Sequence, residues 1–168
     1  QEFILTRDDF PAEGLYFLAN AEWNTIETNE EAIETWPVKE GQDFLNETGR
    51  ETGWWISYTR GTEELAIPKQ VLSNVVRFKT SAGALLALTK FGVENRDIAD
   101  KYTKADTDLA LGDYNAAYVH TITSPNGETN IIYDIYFSYY NFVGRVEGYG
   151  LEKDVDPAFL EDLARKML

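Results

Sequence analysis

The chain has 168 residues and a formal charge of −14, from 29 acidic against 15 basic residues. A field of that sign repels phosphate backbones and anionic headgroups, which argues against nucleic acid and membrane surfaces as partners. No cysteine is present, so disulfides, thiolate-held zinc, iron–sulfur clusters and thiol catalysis are all excluded.

In chain order, Thr6-Arg7-Asp8-Asp9-Phe10-Pro11 reads as a short turn capped by Thr6, after which Gly14 releases a strand over Leu15–Trp23. Thr28 followed by Glu31 has capping-box spacing and starts a helix carrying Ala32, Ile33 and Trp36, closed by Pro37. A second short helix, Glu40–Thr48, presents Phe44 and Leu45 and stops at Gly49. These two helices form an acidic insertion whose charges are explained by solvated faces. The strand Trp54–Thr59 alternates, with Trp54, Ile56 and Tyr58 facing the core and Trp55 facing away. Val71–Phe78 is a further strand, and Thr80 caps a helix over Ser81–Phe91 that buries Leu85, Leu86 and Leu88 and exits at Gly92.

Residues 94–111 read as irregular. Two long strands, Tyr114–Thr123 and Thr129–Tyr139, flank the turn Ser124-Pro125-Asn126-Gly127. Phe142–Tyr149 returns after a tight turn near Asn141, and Asp156-Pro157 opens a last helix with Phe159, Leu160, Leu163, Ala164 and Met167 as its apolar stripe. Runs of antiparallel strands with capped helices predict an α+β fold: an antiparallel sheet with helices on one face, in two units that each run strand, strand, helix. The length fits one domain spanning residues 1–168. No run approaches the ~20 apolar residues of a bilayer span, so membrane insertion by this segment is not expected. The start at Gln1, without Met or a signal-like segment, reads as a mature chain whose targeting segment has been removed, and the composition points outside the cytoplasm or to the cell envelope.

Several segments taken together carry a resemblance. They are Phe10-Pro11 with Gly14, Phe78 and Thr80 with Gly83-Ala84, Gly112-Asp113 with Ala117-Tyr118, and Leu163-Ala164-Arg165-Lys166. In this order they resemble a class of uncharacterised bacterial secreted proteins and lipoproteins, and at fold level the small α/β sandwiches of the PsbP and LpqN kind. The resemblance implies a location, behind a signal peptide and often a lipid anchor and linker, and an architecture. It brings no catalytic residue.

The chemistry-bearing residues are few. His120, the single histidine, lies within a strand and has no Gly-x-Ser-x-Gly partner, and one imidazole does not make a zinc site. Gly144, Gly148 and Gly150 do not form a dinucleotide fingerprint and instead mark a bulge or close packing. Asp106-Thr107-Asp108 with Asp113 superficially resembles a calcium loop, but Ala110 and Ala117 occupy ligand positions. No catalytic residue, metal or cofactor is expected.

The informative pattern is the strand 131–140. One side carries Ile131, Tyr133, Ile135, Phe137 and Tyr139; the other carries Ile132, Asp134, Tyr136, Ser138 and Tyr140. A mixed face of this kind is normally wet, although the acidic helices offer it a cover. With Trp55 it would present flat aromatic platforms and hydrogen-bonding groups. Trp55, Asp134, Tyr136 and Tyr140 are therefore the candidate ligand-binding residues. The expected function is a non-catalytic cell-surface or secreted binding domain for an unidentified protein, small molecule or glycan. The alternatives are a carrier with an aromatic-lined pocket and a carboxylate-dependent hydrolase of extracellular polymers.

Overall fold

A computed structural model of the chain describes residues 3–14, 16–18, 24–26, 28–35, 41–61, 67–94, 97, 101–107 and 109–168. Its centre is an eight-stranded antiparallel sheet: β1 (Phe17–Leu18), β2 (Asn24–Ile26), β3 (Arg50–Thr59), β4 (Gln70–Phe78), β5 (Thr103–Lys104), β6 (Tyr114–Thr123), β7 (Thr129–Tyr139) and β8 (Phe142–Leu151). Across the sheet the order is β1-β3-β4-β8-β7-β6-β5, and β2 also pairs with β3. The helices are α1 (Asn29–Thr35), α2 (Gly41–Thr48), α3 (Ser81–Ala87) and α4 (Pro157–Lys166), with a π-helical continuation of α3 over Leu88–Glu94. This is the expected α+β architecture.

Local chemistry accounts for the element ends. Thr28 and Glu31 close a reciprocal capping box, N–H to Oε2 at 2.9 Å and Oγ1 from N–H at 3.2 Å. Thr80 Oγ1 accepts from the Gly83 N–H at 3.0 Å to start α3. The Asp156 carboxylate accepts from the Ala158 N–H at 3.0 Å, with Pro157 at the first turn of α4. Gly127 N–H donates to Ser124 O at 2.8 Å to close the long hairpin.

Three expectations change. Instead of one strand over Leu15–Trp23, two short strands at Phe17–Leu18 and Asn24–Ile26 pair separately with β3; Leu15 and residues 19–23 lie outside the described residues, as does Trp36. The α3 segment buries Gly83, Ala84 and Ala87 and leaves Leu85 44% exposed. The cause is the approach of α2, because a Cβ on Gly83 would stand 2.0 Å from the Thr48 carbonyl oxygen. Only the small-residue face fits that crossing, so the leucine turns outward. Gly92 is buried within the π-helical segment and does not mark an exit.

The helices also cover both faces of the sheet. Leu160, Leu163, Ala164 and Met167 of α4 join Ile56, Tyr58, Val71, Val75, Ile135, Phe137 and Val146 in the main core. On the opposite face Ala32, Phe44, Leu45, Ala84 and Ala87 pack with Val76 and Phe78, and Leu88 and Val93 pack with Ala116, Tyr118 and Tyr136. Each of the units β3-β4-α3 and β7-β8-α4 runs strand, strand, helix, but their helices land on opposite faces. A two-fold axis through the antiparallel β4–β8 seam would put both on one face, so the repetition is of element order and not of symmetry. Gly148 belongs to this packing, since a Cβ there would meet Leu160 at 2.5 Å.

Buried tyrosines give the fold an alkaline limit. Burial raises Tyr16, whose hydroxyl donates to Pro68 O, and Tyr58, whose hydroxyl donates to Leu5 O at 3.2 Å. Burial also raises Tyr133, and Tyr118 through burial together with the Asp97 carboxylate it donates to at 3.0 Å. A folded pKa above the ordinary 10.0 means the unfolded chain releases these protons first. The stability they contribute is intact below that value and is lost as pH rises through it towards their folded values. Thermal scans in increasingly alkaline buffer are expected to show a steep fall in Tm above pH 10.0, with these tyrosines ionising only as the fold opens. Full tyrosine ionisation before any loss of structure would contradict it.

Candidate functional site

Register places the chemistry-bearing residues in rows across the face that carries α1 to α3. One row reads Trp55, Asn74, Arg145, Tyr136, Ala116; the next reads Ser57, Leu72, Glu147, Asp134, Tyr118; a third reads Thr59, Gln70, Tyr149, Ile132, His120. The helical layer covers the first row at its Tyr136 end. There Tyr136 is 8% exposed, and a Cβ on Gly92 would meet its ring at 3.1 Å. Leu72, Asn74, Arg145, Glu147, Ile132, Tyr149 and His120 are half-buried, as is Trp55 beside the helical cluster.

Arg145 is the centre of this strip. Its Nε donates to Asp134 Oδ1 at 2.8 Å, and Nη2 stands 2.7 Å from the same oxygen and also pairs with Glu147 Oε2. The guanidinium carbon lies 5.3 Å from the Tyr136 ring centroid, within cation–π range. Asp134 is 0% exposed and Arg145 24%. Burial works against the arginine's charge, but Asp134, Tyr136 and Glu147 outweigh it and hold Arg145 above its ordinary value. Nη1 makes no hydrogen bond among the described residues, and the guanidinium is fixed on three sides. His120 lies at the end of the third row with its ring 5.1 Å from that of Tyr102; its buried Nδ1 has no partner among the described residues.

Of the four candidate residues, three share this face and one leaves it. Asp134 and Tyr136 are buried rather than wet, because the helical layer and Arg145 cover them. Trp55 packs its inner edge against the α1–α3 cluster and stays half-buried. Tyr140 stands in the β7–β8 turn at φ 51°, which breaks the alternation and turns its side chain off the face, 66% exposed. Its N–H donates to Asp113 Oδ2 at 2.8 Å and its ring lies 4.5 Å from that of Tyr139. A left-handed conformation is costly for a bulky residue. Tyr140→Asn is therefore expected to raise stability by about 0.5–1 kcal/mol, read as a higher urea midpoint; a lower midpoint would show that the tyrosine pair outweighs the strain. Asp113 is engaged at this turn, Thr107 Oγ1 donates to Glu161 Oε1 at 3.1 Å, and Asp108 lies outside the described residues.

Arg145, Glu147 and Tyr149 were missed in the sequence reading, although a signal was present. They alternate with Gly144, Val146, Gly148 and Gly150 along β8. The glycines face α4 and Phe137, so the large polar residues between them point to the opposite side. The arrangement offers hydrogen bonding and stacking. It leaves little room for a two-carboxylate mechanism, because Arg145 already bridges Asp134 and Glu147 and Asp134 has no exposed surface.

No protein-family model matches the chain, and no curated protein matches it. Among solved structures it is similar to the extracellular domain of PknH from Mycobacterium tuberculosis, with a TM-score of 0.50 and 12% sequence identity over 90% of this chain and 80% of that one. At that identity the likeness is one of fold.

Proposed function

We propose that residues 1–168 form one non-catalytic binding domain of a bacterial extracellular or envelope protein, with the half-open strip around Arg145 as its ligand surface. The observation that carries this reading is the held guanidinium. A buried carboxylate, a second carboxylate and an aromatic ring fix its position, and Nη1 makes no hydrogen bond among the described residues. Fixed polar groups among apolar and aromatic neighbours are the ordinary makeup of a binding site. The fold likeness to an extracellular domain of PknH supports the location. The carrier reading is less well supported, because half-exposed floor residues describe a surface more than an enclosed pocket.

The test is retention of cell-envelope extract on the immobilised domain. Leu72 is half-buried in the floor and belongs to none of the core clusters, so Leu72→Glu should keep the fold and place a charge in the site. Retention is expected for the wild type and for Asn126→Lys in the exposed hairpin turn, and is expected to be lost for Leu72→Glu. Equal retention by all three would remove the strip from the reading.

A further inference from the structure

Apart from the strip and independently of it, we propose that the corner formed by Tyr139 and Tyr140 at the β7–β8 turn, with the Asp113 carboxylate, binds an alkylated ammonium group such as the trimethylammonium of choline. Backbone chemistry carries the first step. Tyr140 is the one residue other than glycine with a positive φ among the described residues, at 51°, a region unfavourable for a bulky side chain. What the turn takes from Tyr140 is its N–H, which donates to Asp113 Oδ2 at 2.8 Å and which glycine or asparagine would supply equally. The side chain returns little to the core, since Tyr140 is 66% exposed. A strained position that holds an exposed ring points to a use for that ring.

Two chain segments build the corner. Gly112, at φ 59°, brings its backbone against β7, where a Cβ would stand 2.0 Å from the Ser138 carbonyl oxygen. The Asp113 N–H donates to that same oxygen at 2.7 Å, so Asp113 clamps the end of β7 with both its backbone and its carboxylate. The carboxylate is thereby held beside two tyrosines whose rings lie 4.5 Å apart at 67°. Asp113 is exposed. Among the described residues no lysine or arginine pairs with it, and none stands over either ring. Two aromatic rings and one carboxylate without a countercharge are held in place before a ligand arrives.

Charge and hydration choose the ligand. The chain's −14 attracts cations and repels anions. A metal ion asks for several oxygen ligands, and no group of three or more metal-ligating side chains exists among the described residues. A bare ammonium is compact and strongly hydrated, and an exposed corner gives little in return for stripping its water. An alkylated ammonium spreads its charge over methyl groups that lie against ring faces, while the carboxylate supplies the countercharge. Free choline and a choline lipid headgroup present this same group.

The experiment is a proton NMR titration of the full chain, following the tyrosine ring resonances, with choline, with tetramethylammonium, and with the uncharged analogue of choline in which carbon replaces the nitrogen. Saturable shifts with a Kd of about 1 mM are expected for both cations, and about ten-fold weaker binding for the uncharged analogue. Tyr140→Phe is expected to stay within about three-fold, because the ring face and not the hydroxyl makes the contact. Tyr140→Asn is expected to weaken binding about ten-fold in a protein that its urea midpoint shows to be folded. Asp113→Asn keeps an acceptor for the Tyr140 N–H and is expected to weaken binding about five-fold through the lost charge. Equal binding of the uncharged analogue, an affinity unchanged by Tyr140→Asn, or no saturable shift with either cation up to about 50 mM overturns the proposal. Sedimentation with phosphatidylcholine vesicles then separates the sources. Co-sedimentation that Tyr140→Asn abolishes supports a lipid-borne group, and choline binding without co-sedimentation supports a free one.

Discussion

Replacing Arg145 by methionine is expected to cost about 3–5 kcal/mol of folding stability, because it takes the guanidinium away from the fully buried Asp134 carboxylate. Arg145→Lys is expected to fall between the two: the charge survives, but the forked contact with Asp134 and the stacking over Tyr136 do not. The informative variant is the double one. Asp134→Asn with Arg145→Met removes both charges and should recover much of what Arg145→Met loses, because the penalty comes from desolvation of the buried carboxylate once the guanidinium is gone. Urea unfolding followed by tryptophan fluorescence reads all three. If Arg145→Met unfolds at the wild-type midpoint, Asp134 is solvated in solution and the strip does not have the rigid centre described above.

Gly83→Ala is expected to cost about 2–3 kcal/mol. In an isolated helix alanine would gain about 1 kcal/mol over glycine. Here its Cβ would lie 2.0 Å from the Thr48 carbonyl oxygen and 3.3 Å from Thr80 Oγ1, which is engaged as the cap of the same helix. Neither contact is with a flexible side-chain end, so α2 and α3 must separate. That opens the packing of Phe44, Leu45, Ala84 and Ala87. A stabilised Gly83→Ala protein would mean that the two helices do not approach this closely.

The sheet was legible because its signals are local. Period-2 alternation along β7 and the Ser124–Gly127 turn mark the long hairpin to the residue, and Asp156-Pro157 marks the start of α4. The layer arrangement was not legible. The face on which α3 or α4 lies depends on how the chain leaves β4 or β8, and both helices carry apolar stripes that would suit either face. The site was half legible for the same reason. Asp134 and Tyr136 stood out as polar and aromatic groups on one strand, but their partner Arg145 comes from the neighbouring strand, and pairing register is a property of the folded sheet. Tyr140 misled because alternation was carried one residue too far, into a turn whose left-handed backbone gives no sign in a tyrosine.

The β4–β8 seam has a kinetic consequence. The hairpins β3–β4 and β7–β8 join neighbours in sequence, whereas the seam pairs Gln70 with Tyr149 and Arg77 with Phe142 across the whole middle of the chain. Closing a loop of that length costs entropy before any contact rewards it, and topologies rich in such pairings fold slowly. The seam also carries Asn74 opposite Arg145, so the strip proposed as the ligand surface is completed at the step that joins the two hairpins. On the proposed reading, binding competence is expected to appear as the seam closes, and refolding followed by tryptophan fluorescence and by retention on the binding partner should give a single rate constant for both.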